Sequence, residues 1–344
     1  MRGPVCRIVV LRPNHRMGNT VLLTPLVHDL GARFPGAEIE LVIAGRAARA
    51  VFNQYAQVSE VHAFPARSFR HPGHVLRVLA RLRQRSYDLA VDPTPHSRGG
   101  RFLLGQVHAR DRVGFRWGVP HRDRMLTHTA DASHAPPHCA LTPVYLLRSA
   151  YAPGPTHETD ARLMMMPQLD LRLTDAERRD GERRLFGVLG TTDPGAATRL
   201  GIYAHATGTK CYPVSWWRRV VEELRQLVPD VRIVEFVPHD GRARLAGDVP
   251  VLYATKLRPL GAALAATSLF VTADCGVMHL ADAAGARVLG LFKTTEPARY
   301  GPYGATSEAL RAFDASPGAA VAHIRALLAS RAVTQRAPCI EAPS

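Results

Sequence analysis

Short apolar runs alternate with amphipathic segments along most of the chain. Residues 6–12 (CRIVVLR) form a β-branched run without polar alternation, which is typical of a strand buried in a parallel sheet. Residues 20–34 follow with apolar positions at helical spacing, interrupted by Pro25. The same order of strand and helix continues to about residue 115. This alternation predicts an α/β domain with a doubly wound parallel sheet.

A second series of the same kind starts near residue 170. Thr174 and Glu177 have the spacing of a capping box, which predicts that a helix starts there. The expected strands of this half cover residues 201–206, 232–238, 269–274 and 287–292. We therefore predict an N-terminal Rossmann-like domain over residues 1–165. A C-terminal Rossmann-like domain, with a final helix and a tail, is predicted over residues 166–344.

Length and composition agree with two globular domains. The chain has 344 residues, of which 46% are hydrophobic. No apolar run reaches the roughly 18 to 20 residues that span a bilayer, and residues 8–11 are too short an apolar run for a secretion signal. The five cysteines are scattered and form no C-x-x-C pair, so the sequence indicates neither a disulfide framework nor a zinc site. We expect a cytoplasmic protein.

The positive charge is concentrated in the first half of the chain. The formal charge is +15, and residues 1–165 carry 22 Arg against 11 Asp and Glu, a net charge of +11. Such a field attracts anionic partners. A GC-rich genome is an alternative explanation of the arginine preference, although it does not explain why acidic residues are scarce there. The sequence has no pattern of an RRM, KH or helix-turn-helix domain, so we expect no nucleic-acid partner.

Ligands of open parallel sheets bind beyond the carboxyl ends of the strands. This rule selects the loops at residues 13–19, 92–98, 205–213 and 274–279. None of them matches a dinucleotide-binding fingerprint or a Walker loop, which disfavours NAD and P-loop chemistry.

Two of these loops have residues suited to a diphosphate. Residues 205–213 (HATGTKCYP) offer His205, the hydroxyls of Thr207 and Thr209, and the charge of Lys210. An alternative is that threonine and glycine are simply common at such junctions.

The loop at 274–279 (DCGVMH) leads directly into a helix. Asp274, Cys275 and Gly276 precede the helix, whose free N–H groups and dipole favour a phosphate, and His279 follows one turn later. The alternative is that Asp274 only caps the helix and that His279 is a surface residue.

The loop at 13–19 precedes an apolar helix. His15 and Arg16 are polar, Gly18 permits a close approach of the chain to a ligand, and Asn19 is expected at or near the helix N-cap. Simple capping is the alternative.

The loop at 92–98 (DPTPHSR) offers three kinds of polar group at a strand end. They are the carboxylate of Asp92, the imidazole of His96 and the guanidinium of Arg98. The alternative is that Asp92 only forms the turn.

Taken in order, these segments resemble glycosyltransferase family 9, the ADP-heptose:lipopolysaccharide heptosyltransferases. The matching segments are residues 16–27 (RMGNTVLLTPLV), 87–92 (YDLAVD), 204–213 (AHATGTKCYP) and 269–304. The resemblance implies a GT-B fold, with two Rossmann-like domains facing a cleft. It also implies an inverting transfer of heptose from ADP-heptose to an anionic glycan or glycolipid acceptor such as a lipopolysaccharide core.

The resemblance also assigns roles to residues. The C-terminal domain is expected to bind the donor through His205, Thr207, Thr209, Lys210, Asp274, Cys275, Gly276 and His279. The N-terminal domain is expected to bind the acceptor through His15, Arg16, Gly18, Asn19, His96 and Arg98. No metal or cofactor is expected, because a helix terminus and basic side chains neutralise the phosphates in this fold. A glycolipid acceptor is compatible with peripheral contact at the inner face of the cytoplasmic membrane.

The sequence departs from the family at the position of the catalytic base. An aspartate usually follows the glycine of the first motif, and here that residue is Asn19, which cannot accept a proton at neutral pH. Another residue therefore supplies the base, or Asn19 only orients the acceptor, or the chain is a non-catalytic or weakly active sugar-nucleotide-binding relative. Asp92 is the first candidate for the base, followed by His15 and His96. Milder departures are Cys275, in place of Ser or Thr, and Glu296, in place of Asp.

Overall fold

The chain folds into two compact units, Met1–Arg172 and Leu173–Ser344. The computed structural model describes residues 3–45, 47–64, 71–151, 166–191, 198–238, 241–311 and 316–336. The predicted domain boundary, between residues 165 and 166, lies at the edge of a stretch outside the described residues, and so does the loop expected at residues 155–160. Each unit contains a six-stranded sheet.

The sheet of the first unit has the order β3-β2-β1-β4-β5-β6, and all its strand pairs are parallel. Its strands are β1 (Arg7–Arg12), β2 (Glu38–Ala44), β3 (Val58–Phe64), β4 (Ser86–Asp92), β5 (His108–Phe115) and β6 (His128–Ala130). The helices are Met17–Val21, Thr24–Arg33, Ala47–Phe52, Pro72–Arg83, Arg98–Leu104, Pro120–Asp123 and Leu141–Ala150, with a 3-10 turn at Ala132–His134.

The sheet of the second unit has the order β12-β11-β10-β7-β8-β9 and is also parallel throughout. Its strands are β7 (Thr198–Tyr203), β8 (Val231–Pro238), β9 (Val251–Ala254), β10 (Leu269–Ala273), β11 (Val288–Phe292) and β12 (Glu308–Arg311). The helices are Asp175–Leu189, Val214–Leu227, Leu257–Ala265, Gly276–Ala283, Pro297–Tyr300 and Pro317–Arg336, with a 3-10 turn at Gly208–Lys210.

The apolar runs of the sequence form the middle of each sheet. Val10 of β1 lies beside Leu41 of β2 and Val91 of β4, and all three side chains are buried. In the second unit Val271 of β10 is equally buried, beside Ile202 of β7. A strand that is covered on both faces has no polar positions to alternate with apolar ones. For this reason the apolar runs in the sequence are continuous.

Two local predictions can be compared with the structure. The capping box is confirmed: the Thr174 hydroxyl accepts the N–H of Glu177 at 3.2 Å, and a Glu177 carboxylate oxygen accepts the N–H of Thr174 at 2.9 Å. The helix expected over residues 20–34 is two helices, because the chain turns at residues 22–23. Pro25 lies in the first turn of the second helix, where its missing N–H costs no hydrogen bond.

The strand orders decide which loops meet. β1 and β4 are neighbours in the first sheet, and β7, β10 and β11 are neighbours in the second. Because the strands are parallel, the loops that follow neighbouring strands lie side by side at one edge of the sheet. Within the described residues, no helix has the length and apolar character needed to cross a membrane.

Candidate functional site

The loops after β7, β10 and β11 come together at Asp274. Lys210 Nζ donates to Asp274 Oδ2 at 2.5 Å, and the Thr295 hydroxyl donates to the same oxygen. The Asp274 residue is 5% exposed, so a buried carboxylate holds the partly exposed lysine and threonine in place. The structure therefore brings loops 205–213 and 274–279 together, as predicted. Their role as a donor site stays a prediction.

The helix Gly276–Ala283 begins directly beyond this carboxylate. Its N-cap is Cys275, with an extended backbone and no capping hydrogen bond from its side chain, so Asp274 is not the cap. Burial raises the pKa of the Cys275 thiol, which therefore adds no negative charge at this helix end. His279 is 4% exposed, so the alternative that it is a surface residue is wrong.

The loop after β7 has an exposed tip. Gly208 has φ +60 and starts a 3-10 turn that ends at Lys210, while Thr207 and Thr209 are exposed on either side of Gly208. A left-handed residue here favours glycine because a Cβ strains this backbone conformation. Burial lowers the pKa of His205, which is half-buried with Nε2 3.7 Å from Glu235 Oε1. The tip therefore presents two hydroxyls next to a fixed ammonium group.

Sequence reasoning missed the loop after β11. Thr295 bonds to Asp274, and Lys293 Nζ lies 5.8 Å from the centre of the Tyr212 ring, a residue of the loop after β7. The signal was available, because the apolar run at residues 287–292 predicts a strand beside β10 and the strand-end rule then selects the loop that follows. A cation, hydroxyls and a helix N-terminus together can bind a diphosphate.

In the first unit, the helix after β1 starts earlier than expected. Its first residue is Met17 and its N-cap is Arg16, whose N–H donates to Asn14 Oδ1 at 2.9 Å. Asn19 is the third residue of the helix and is half-buried, so it lies near the N-cap, as expected, but is not the cap itself. Gly18 is buried.

His15 and Arg16 are both exposed on the loop after β1. A close approach of backbone occurs at Gly45, where an added Cβ would be 3.1 Å from the carbonyl oxygen of His15. Gly45 has φ +95, and its freedom lets the loop after β2 pass directly beside His15.

Asp92 ends β4 and is completely buried, at 0% exposure. A Cβ at Gly100 would lie 2.3 Å from Asp92 Oδ1, so the helix Arg98–Leu104 packs directly on the carboxyl group. Arg101 Nε lies 3.5 Å from Asp92 Oδ2. Burial nevertheless dominates and raises the pKa of Asp92 to about 7.

His96 and Arg98 are exposed beside this buried carboxyl group. His96 has φ +54, a conformation that is uncommon for a residue with a side chain, and its ring centre is 5.8 Å from that of Trp117. The guanidinium carbons of Arg101 and Arg122 lie 4.7 Å and 5.1 Å from the Trp117 ring centre. Trp117 and Arg122 were not predicted as site residues. The sequence does indicate them, because a tryptophan in a polar, arginine-rich stretch can bind guanidinium groups on its ring.

One group of described residues has the spacing of metal ligands, namely Glu40, Glu60 and His62 in β2 and β3. Arg85 forms ion pairs with both glutamates, and His62 Nε2 lies 2.8 Å from Glu40 Oε2. Glu40 and Glu60 are each the third residue of a strand, away from the carboxyl ends. This group forms a network of ion pairs and hydrogen bonds within the sheet.

Two six-stranded parallel sheets with helices, one in each unit, are the architecture of the GT-B fold. The model of glycosyltransferase family 9 (heptosyltransferase) matches residues 75–323. The chain belongs to glycosyltransferase family 9. No curated protein sequence matches the chain at a significant level.

Solved structures share the fold at low sequence identity. A family 9 glycosyltransferase from Veillonella parvula DSM 2008 is 17% identical, with 96% of this chain and 99% of that chain covered and a TM-score of 0.75. E. coli heptosyltransferase WaaC with ADP is 18% identical, with 93% and 99% covered and a TM-score of 0.70. E. coli ADP-heptose lps heptosyltransferase II is 18% identical, with 95% and 99% covered and a TM-score of 0.71.

Proposed function

We propose that this chain is an inverting glycosyltransferase that moves heptose from ADP-heptose to an anionic acceptor, such as a lipopolysaccharide core. The observation that carries the proposal is the Lys210–Asp274–Thr295 arrangement at the start of the helix Gly276–Ala283, in a chain of family 9. Two of the similar structures are named for the same chemistry, one as a heptosyltransferase with ADP and one as an ADP-heptose lps heptosyltransferase.

The proposed reaction is a single displacement. An acceptor hydroxyl oxygen forms a bond to the anomeric carbon of the donor, and the bond from that carbon to the diphosphate oxygen breaks. The proton of the hydroxyl group passes to a general base. The leaving diphosphate carries away the electron pair, and the negative charge that develops is stabilised by Lys210 and the N–H groups of the helix. Asp274 keeps Lys210 in place through their 2.5 Å contact. With this cation and helix terminus supplied by the protein, the proposed reaction does not depend on a metal.

The proposal assigns the two substrates to different units. The donor binds to the second unit through the eight residues predicted from its loops, and Thr295 and Lys293 join them. The acceptor binds to the first unit through His15, Arg16, Gly18, Asn19, His96 and Arg98. The excess of arginine in residues 1–165, with a net charge of +11, supports an acceptor that carries phosphate groups. A glycolipid acceptor also places the protein in the cytoplasm, in peripheral contact with the inner membrane surface.

Three residues are candidates for the general base. Asp92 has a pKa of about 7, which suits a base that works near neutral pH, but its side chain has no exposed surface. His15 and His96 are exposed and so are directly accessible to an acceptor hydroxyl. We retain Asp92 as the first candidate to test, because a carboxylate replaces the one that the family carries at the position of Asn19.

A second candidate function follows from the same position. Asn19 cannot take a proton, so a chain with an intact donor site and no substitute base binds the sugar nucleotide without transferring the sugar. Donor binding alone does not separate the two functions, whereas product formation does.

The test is a transfer assay with purified protein, ADP-heptose and a dephosphorylated or phosphorylated lipopolysaccharide core acceptor. We expect release of ADP that depends on the acceptor, and a strong loss of donor affinity in Lys210→Ala. Lys256→Ala is the matched control, since Lys256 is an exposed lysine before the helix Leu257–Ala265 of the same unit. ADP binding without any product supports the non-catalytic function, and no binding of any nucleotide sugar contradicts both.

A further inference from the structure

The connection between β8 and β9 contacts both ends of the loop that carries Lys210. Arg244 Nη1 donates to the carbonyl oxygen of Ala204 at 2.9 Å and also contacts the sulfur of Cys211. Ala204 directly follows β7, and Cys211 directly follows Lys210. One guanidinium group therefore joins the first and last residues of the segment 204–211.

Arg244 is itself fixed by a buried carboxylate. Glu235 in β8 is 0% exposed, and its two oxygens accept the backbone N–H groups of Arg244 at 2.9 Å and of Leu245 at 2.8 Å. A buried carboxylate needs such donors because an unpaired charge in the interior is costly. The backbone from which the Arg244 side chain extends is thus anchored to the core of the sheet.

The segment 204–211 needs support of this kind. Thr207, Gly208 and Thr209 are exposed, and the turn itself contributes the bond from the N–H of Cys211 to the carbonyl oxygen of Gly208, at 3.2 Å. Exposed turns with little buried surface open at low free-energy cost. The position of Lys210 therefore depends on how the ends of the segment are held.

We infer that Arg244, held by Glu235, is a positioning residue for the donor loop: it keeps the segment 204–211 in the conformation that binds the diphosphate of the donor. The inference rests on the proposed function, because it concerns the affinity of that same donor site. Arg244 need not touch the substrate, and its effect passes through Ala204 and Cys211 to Lys210.

The test compares ADP binding by titration calorimetry in five variants. Arg244→Ala should weaken binding of ADP about tenfold, the usual effect of losing a hydrogen bond to a charged group. Arg244→Lys should recover part of this loss, since an ammonium group can still reach one acceptor. Arg218→Ala is the matched control: Arg218 Nε donates to Asp248 Oδ2 at 2.8 Å, so this variant loosens the same connection without touching the donor loop.

The fourth and fifth variants, Lys210→Ala alone and Lys210→Ala combined with Arg244→Ala, separate positioning from general destabilisation. If Arg244 acts through Lys210, its removal should cost clearly less affinity when Lys210 is already alanine, because the two effects are coupled. Additive effects overturn the inference, and so does an equal loss of affinity in Arg218→Ala.

Amide hydrogen exchange on the unliganded protein provides a readout without any ligand. Exchange at residues 208–211 should become faster in Arg244→Ala but not in Arg218→Ala, while exchange in β10 stays slow in both and shows that the fold is intact. Unchanged exchange at residues 208–211 overturns the inference. If the wild-type protein binds no ADP, the proposed function fails, and the exchange experiment alone still decides whether Arg244 holds the loop.

Discussion

Asp92 should make the free energy of unfolding fall as the pH rises, which is the opposite of what most carboxylates do. The substitution Asp92→Asn should remove this effect. Asp92 is fully buried, and burial raises its pKa to about 7 despite the nearby Arg101. In the unfolded chain an aspartate has a pKa of about 3.9. Between about pH 4 and pH 7 the folded protein thus retains a proton that the unfolded chain has released, and the free energy of unfolding falls as the pH rises.

The size of the effect follows from the two pKa values. Each pH unit inside that window costs the wild-type protein about 1.4 kcal/mol of unfolding free energy. From pH 5 to pH 8 the loss is therefore about 3 kcal/mol, which is a large part of the stability of an ordinary domain. Asparagine has nearly the same shape and no proton to release. The unfolding free energy of Asp92→Asn minus that of the wild type should therefore rise by about 3 kcal/mol over this range.

The assay is urea unfolding of both proteins at several pH values from 5 to 8. Hydrogen exchange of the amides in β4 shows which unfolding transition belongs to the first unit. Asp88→Asn, in the same strand, is the control. Burial raises the pKa of Asp88, but the N–H groups of Cys6 and Arg7 outweigh it and hold the pKa below its ordinary value. Asp88 is therefore charged in both states above pH 5, and its variant should differ from the wild type by a constant amount. A constant difference for Asp92→Asn as well would refute the reasoning.

Three further predictions concern activity. Thr295→Val should raise the donor KM about fivefold, because it removes a hydrogen bond to Asp274. Thr294 is the exposed neighbour of Thr295, and Thr294→Val should leave the donor KM unchanged. Steady-state kinetics at saturating acceptor measure both values. Raising the salt concentration from low to ~0.5 M should increase the acceptor KM more than the donor KM, and equal changes would favour a merely compositional excess of arginine. Asn19→Asp should raise kcat if the chain lacks a base, while Asp92→Asn should lower kcat by ~10²–10⁴ if Asp92 is that base.

The fold could be predicted because its strands are buried on both faces. The runs at 6–12, 39–44 and 269–274 are strands to within one residue at each end. The strands β6, β9 and β12 were missed, since each has only three or four residues at an edge of its sheet, and half-exposed edge strands have no continuous apolar run.

The site was predictable where side chains lie next to a strand end in sequence. Lys210 and Asp274 are 64 positions apart, yet the strand-end rule and the parallel order bring their loops together. Arg244 could not be found in this way, because it lies well beyond the end of β8 and reaches the donor loop only through its long side chain. Nor does the sequence show that Asp92 is covered by the helix that follows it, since this depends on Gly100 packing against the carboxyl group.

The two units differ in whether the groups proposed to bind or react are already in place and accessible. In the second unit, Lys210 already lies 2.5 Å from the carboxylate that orients it, beside a helix whose N-cap thiol is neutral. The proposed donor binding therefore requires little rearrangement of these groups. In the first unit, the position of the usual base is an asparagine inside a helix, and the nearby carboxylate with a suitable pKa is completely covered. A base at Asp92 requires the helix Arg98–Leu104 to move away from it, because Gly100 closes access to Oδ1. In the proposed reaction, binding of the donor and transfer of the sugar are therefore separable, and substitutions at Lys210 and Asp92 should affect them independently.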